Sequence, residues 1–174
     1  MGAKNGKKSG IIVATAFCNL LADGCAPPEL RPFLGGAVGH AVKKISKDGE
    51  EDARPVCCGE VWRRIVGKAL LSTETDALEA HLCPHQLAVN VRSGAEVMPH
   101  LARQWMCDFK DDTDRVLIDF DESNAHNTVD RHSFLLRARE IIPGVSRWLE
   151  YTYPTDCATI VYYRGRQIES SAGG

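Results

Sequence analysis

Apolar residues recur at helical spacing from Ile11 to Ala22, where Ile12, Ala16 and Leu20, flanked by Phe17 and Leu21, share one side, and Asp23-Gly24 ends the run. Pro27-Pro28-Glu29-Leu30 predicts a second, short helix. Gly35-Gly36 and Gly39 break the chain before Ala41-Val42, and the polar stretch Ile45 to Asp52 reads as a hairpin tip. Arg54 to Cys58 is then the returning strand, since the residue before Pro55 is held extended. Val61, Ile65 and Lys68 to Leu71 predict a helix over 60–71, and Asp76 to His81 a shorter one. Leu87 to Val91 is strand-like, Ala95 to Phe109 is helical, and Val116 to Phe120 reads as a strand after an acidic loop. Thr128 to Ile142 and Val145 to Tyr151 predict two helices separated by Pro143-Gly144. Ala158 to Tyr163 and Gln167 to Ser170 alternate as a final hairpin around Arg164-Gly165-Arg166. Helices mixed with separate hairpins predict an α+β fold.

The length, 174 residues, suits one domain able to bury a sizeable core. Hydrophobic residues at 44% and charged residues at 25% are globular proportions, which excludes wholesale disorder. No apolar stretch is long enough for a spanning helix, and the basic start Met1 to Lys8 is a poor secretory signal. Gly6 stands where a myristoylation signal needs Ser or Thr. These features predict an intracellular protein, nuclear or cytoplasmic, with no membrane partner. Seven irregularly spaced cysteines fit reduced thiols in such a compartment. His81-Leu82-Cys83-Pro84-His85 has metal-type residues but no second ligand pair at zinc spacing, so a loop is the expected reading.

Net charge is −2. Residues 1–110 carry 14 basic and 12 acidic side chains, and residues 111–174 carry 7 and 11. Phosphate neutralisation favours a basic excess, so any contact with nucleic acid is expected through a local groove or with help from chain outside these residues.

The candidate chemistry is concentrated in Arg115-Val116-Leu117-Ile118-Asp119-Phe120-Asp121-Glu122-Ser123-Asn124-Ala125-His126-Asn127-Thr128-Val129-Asp130-Arg131. On a strand, Leu117, Asp119 and Asp121 would face one side and Val116, Ile118 and Phe120 the other. Carboxylates at a strand end can hold a hard divalent cation beside substrate phosphate, or they can cap the helix that follows.

The run from Asp121 to Arg131 resembles the first metal-binding motif of reverse transcriptases, which in the non-LTR retrotransposon branch reads Asp-x-x-Asn-Ala-Phe-Asn-x-Val-x-Arg. Lys47-Asp48-Gly49, Arg54-Pro55-Val56 and Gly59 to Lys68 resemble the fingers hairpin and its following helix. Gln86 to Val91 with Gly94-Ala95-Glu96 and His100 resembles the next block, and Ile168 to Gly174 the opening of the one that continues Gln-Gly-Asp-Pro-Leu. The resemblance covers about Leu20 to the last residue. It implies a basic tail over 1–10, a fingers-like region over 11–110 and a partial palm over 111–174. It also implies RNA-templated DNA synthesis from dNTPs on a DNA primer, with Mg²⁺, or Mn²⁺ in its place. Asp121 would ligate the metal ions as the catalytic carboxylate, and Glu122 would add its backbone carbonyl. Lys47 and Arg54 would flank the triphosphate, with His126, Ser170 and Gly173 completing the nucleotide site.

Two residue types depart from the family pattern. His126 is smaller and more polar than the usual aromatic, and Glu50-Glu51-Asp52 places acid between Gly49 and Arg54. The family's second carboxylate pair, a Tyr/Phe-x-Asp-Asp turn in the C-terminal palm, is not among these residues, so this segment is expected to be inactive alone, the missing palm and thumb being needed for activity. The same carboxylates also resemble the Asp-x-Asp-x-Thr/Ser strand of haloacid-dehalogenase-type phosphotransferases, with Asp119 as nucleophile and Asp121 as acid and base. A non-enzymatic retroelement remnant that binds nucleic acid is the other alternative.

Overall fold

The computed structural model describes residues 2–45, 49–122, 125, 128–156 and 158–170. Helix α1 (Gly2–Ala22) is followed by a 3₁₀ turn (Pro28–Leu30) and the single-turn helix α2 (Arg31–Leu34). Strands β1 (Ala37–Ile45) and β2 (Glu51–Gly59) come next, then helices α3 (Val61–Thr73), α4 (Thr75–Leu82) and α5 (Gly94–Asp108). Helices α6 (Arg131–Ile141) and α7 (Pro143–Thr152) precede strands β3 (Thr159–Tyr163) and β4 (Arg166–Ser170). The fold is α+β, with one four-stranded mixed sheet in the order β2-β1-β3-β4.

Both hairpins arise where the sequence placed them, the first around its polar tip and the second from its alternation. β1 and β2 pair antiparallel from Ala37 opposite Gly59 to Ile45 opposite Glu51. β3 and β4 pair from Thr159 opposite Ser170 to Tyr163 opposite Arg166. A short parallel contact, Ala37 with Val161 and Val38 with Tyr162, joins them. Gly35 and Gly36 permit that junction. A Cβ on Gly36 would lie 2.1 Å from the Ile160 carbonyl oxygen, and one on Gly35 would lie 2.6 Å from that of Thr152. The pair therefore marks a close backbone approach as well as a break.

Helices α1, α2, α3, α6 and α7 enclose the core of Leu21, Leu34, Val66, Ala138, Ile142, Val145, Trp148 and Tyr151, which Ala26 completes. Val145, Trp148 and Thr152 recur at three- and four-residue spacing on α7 and are almost fully buried. The Tyr151 hydroxyl donates to the Pro27 carbonyl at 2.7 Å, tying α7 to the turn before α2. Arg63 donates to the Gly35 carbonyl at 2.8 Å and lies beside the Tyr153 ring.

Three expectations change. α1 starts at Gly2, so the basic stretch read as a tail is helical from there to Ile11. Leu87–Val91 forms no strand; bends carry it to Ser93, whose positive φ of 55° precedes α5. Val116–Phe120 also joins no sheet among the described residues, and Phe120 remains 84% exposed. In both segments the side-chain pattern is that of a strand, but no neighbouring strand supplies hydrogen bonds, and pattern alone does not make a sheet.

Candidate functional site

The acidic loop before the carboxylates is locally organised. Arg115 donates to Asp112 at 2.9 Å and stacks over Phe109 at 3.9 Å, while Asp112 also accepts the Asp114 backbone N–H at 3.0 Å. Phe109 in turn packs on Trp105, with ring centroids 5.4 Å apart, so the end of α5 fixes where the extended segment begins. From Val116 the chain runs without regular structure through Asp119, Asp121 and Glu122, all exposed.

Downstream, Asp130 is the helix cap of this region. Its Oδ1 accepts the Ser133 backbone N–H at 2.7 Å at the start of α6, and the bonds from Ser133 hold its carboxyl below the ordinary aspartate value. Arg131 donates to the Pro154 carbonyl at 3.2 Å and anchors the same turn to the segment after α7. Thus the last two residues of the Asp121-to-Arg131 run have structural tasks, leaving Asp121 and Glu122 as its uncommitted described carboxylates.

The β1–β2 hairpin positions Arg54. It sits opposite Val42, and the register puts it on one face with His40, Lys44, Asp52 and Val56. β3 reaches only Ala37 and Val38, so the distal half of the hairpin projects beyond the sheet with exposed side chains. The acids of its insertion are exposed but engaged locally. Lys43 pairs with Glu51, and Asp52 accepts the Ala53 backbone N–H at 2.7 Å. Arg54 forms no ion pair among the described residues and remains available to an external anion.

Of the residues assigned from sequence, Lys47, His126 and Gly173 lie outside the described residues. Ser170 closes β4, paired with Thr159 on the edge of the sheet away from the projecting hairpin. Among the described residues no ion pair or hydrogen bond joins Asp121 or Glu122 to Arg54, and no three metal-type side chains converge. Asp121 and Glu122 carry the hard oxygen donors that Mg²⁺ prefers, but they come from one segment, whereas a two-ion site is built from several elements. The residues present do not complete such a site.

Sequence reasoning missed Trp148, the most buried of the three tryptophans, and Gly67, whose Cβ position lies 3.3 Å from the Trp148 indole nitrogen. The i, i+3, i+7 spacing of Val145, Trp148 and Thr152 was the available signal. Among the described residues no helix is long and apolar enough to cross a membrane. No family model, curated protein or solved structure matches the chain.

Proposed function

We propose that these residues are the fingers and the first part of the palm of a reverse transcriptase of the non-LTR retrotransposon type, a nucleotidyltransferase using an RNA template, a DNA primer and dNTPs. The observation that carries the reading is the ordered run Asp121-x-x-Asn124-Ala125-x-Asn127-x-Val129-x-Arg131, preceded by the Lys47/Arg54 hairpin block in the family's order. The projecting hairpin supports it, because Arg54 stands exposed on an extended arm while neighbouring acids are engaged locally. A guanidinium so placed suits a triphosphate, which it would hold through charge-assisted hydrogen bonds.

In this reading Asp121 is a metal-ligating carboxylate whose partners come from a Tyr/Phe-x-Asp-Asp turn. These residues alone make no complete site and do not extend a primer. The phosphotransferase alternative draws no support from the fold, since Asp119 and Asp121 lie on no strand of the sheet.

The test is primer extension by a protein in which this segment is joined to a palm carrying the Tyr/Phe-x-Asp-Asp turn. Asp121→Asn abolishes extension and leaves primer–template binding within about twofold, because one exposed carboxylate contributes little to phosphate contacts. Undiminished extension by the variant would remove Asp121 from the metal site.

A further inference from the structure

Helices α3 and α7 leave an open groove of about 730 Å³ between them. Its floor is apolar, formed by Ile65 and Leu71 of α3 and by Trp148 and Leu149 of α7, and Gly67 keeps it clear above the Trp148 ring. Arg64 and Lys68, one helical turn apart and both exposed, form a basic rim, and neither makes an ion pair among the described residues. An apolar floor with a basic rim is the receptor half of helix-in-groove recognition, and it calls for an amphipathic helix with acid at its margin.

This chain contains such a helix. Val97, Leu101 and Trp105, alongside Met98, Ala102 and Met106, form one continuous apolar stripe on α5. Val97, Met98, Leu101 and Met106 are exposed, and α5 has no extensive packing partner among the described elements. Its C-terminal end leads directly into Asp108, Asp111 and Asp114. The dimensions agree: the stripe from Val97 to Met106 is about 13 Å long and the α3 wall from Val61 to Leu71 about 15 Å.

We propose that the α3–α7 groove of one copy receives α5 of a second copy, making a reciprocal dimer in which each chain supplies one groove and one helix. The acidic end of α5 then faces the Arg64–Lys68 rim. A reciprocal arrangement closes on itself with two-fold symmetry and buries the same surfaces twice. The interface uses neither Asp121 nor Arg54, so it stands or falls independently of the polymerase reading.

Sedimentation equilibrium on the 174-residue chain, from 1 to 100 µM, reads the proposal directly. The chain sediments as a dimer at the upper concentrations. Leu101→Asp on the helix or Ile65→Asp in the groove, both at exposed positions, weakens dimerisation at least about 30-fold, as loss of a central apolar anchor does. Mixing the two variants restores a heterodimer, because one groove and one helix remain intact in the pair. Arg64→Glu with Lys68→Glu weakens association about tenfold or more, and Asp108→Lys with Asp111→Lys on the partner recovers it. Circular dichroism on each variant separates loss of association from loss of fold. A monomer mass throughout overturns the proposal, whether α5 stays free or docks in its own groove. So does a monomer that binds single-stranded oligonucleotide through Arg64 and Lys68, and so does a dimer indifferent to both Asp substitutions.

Discussion

Trp148→Ala is the perturbation that most directly tests the packing. The residue is 2% exposed and lies among Val66, Val145 and Tyr151, whereas Trp62 is 36% exposed and meets mainly Phe17, edge-on with centroids 5.2 Å apart. Truncating a fully buried tryptophan costs about 3–5 kcal/mol, the sum of lost transfer energy and an incompletely collapsed cavity. Trp62→Ala forfeits a half-exposed surface and one aromatic pair, about 1–2 kcal/mol. Trp105 touches Phe109 at the free end of α5, so its truncation costs less again. In thermal terms Trp148→Ala lowers Tm by roughly 6–20 °C at about 2–4 °C per kcal/mol. Urea unfolding followed by far-ultraviolet circular dichroism gives the ranking without relying on the tryptophans as probes. The reasoning fails if Trp148→Ala lies within about 1 kcal/mol of Trp62→Ala, the scatter expected between sites.

Two further perturbations address the joints of the fold. Gly36→Ala places a Cβ 2.1 Å from the Ile160 carbonyl, so β1 and β3 must separate; faster amide exchange at Ala37 and Val161 than in β2 is the expected result, and unchanged protection would show that the approach is not tight. Burial raises the Tyr151 phenol above its ordinary value of 10.0, and its hydroxyl donates to Pro27. The unfolded phenol therefore ionises first as pH rises, so the stability Tyr151 contributes is complete below about 10 and declines above it, where Tyr151→Phe flattens the alkaline limb of the stability profile. An identical alkaline limb in the variant would exclude Tyr151 as its source.

The elements legible in the sequence were those whose signal is local. Helical spacing in α3, α4, α6 and α7, the polar tip of the first hairpin and the alternation of the second carried over, with boundaries moved by a few residues where caps such as Asp130 decide them. Partnership was not legible. Val116–Phe120 has as strong a strand pattern as Thr159–Tyr163, yet the latter has β1 and β4 beside it and the former has neither. Likewise α5 and α7 are both amphipathic, but of the two only α7 finds a core to bury its stripe. Gly35-Gly36 was readable as a break, while the backbone approach it serves depends on a strand more than a hundred residues away. For the site, the residue types at Arg54 and Asp121 and their placement on different segments were readable, and the lack of a strand partner beside the Asp121 segment was not.

The unpaired state of that segment bears on metal binding. Val116, Leu117 and Ile118 are more than half exposed, and among the described residues no neighbouring strand holds the segment that leads to Asp121. A carboxylate on an unpaired segment pays the ordering cost of its own backbone before it gains a metal bond, and Mg²⁺ gives up its water reluctantly. Strand pairing would remove that cost in advance, which is how rigid elements make sites strong. The 174-residue chain accordingly binds Mg²⁺ only weakly, with no saturable calorimetric signal below about millimolar concentration, and Asp121→Asn leaves the titration unchanged. Under the proposed polymerase reading, joining the segment to a palm that supplies both a neighbouring strand and the second carboxylates makes the same substitution lower Mg²⁺ affinity by at least about tenfold. Tight binding to the isolated chain that Asp121→Asn abolishes would refute the link between strand pairing and the site, because it would show the carboxylate already ordered where no strand holds it.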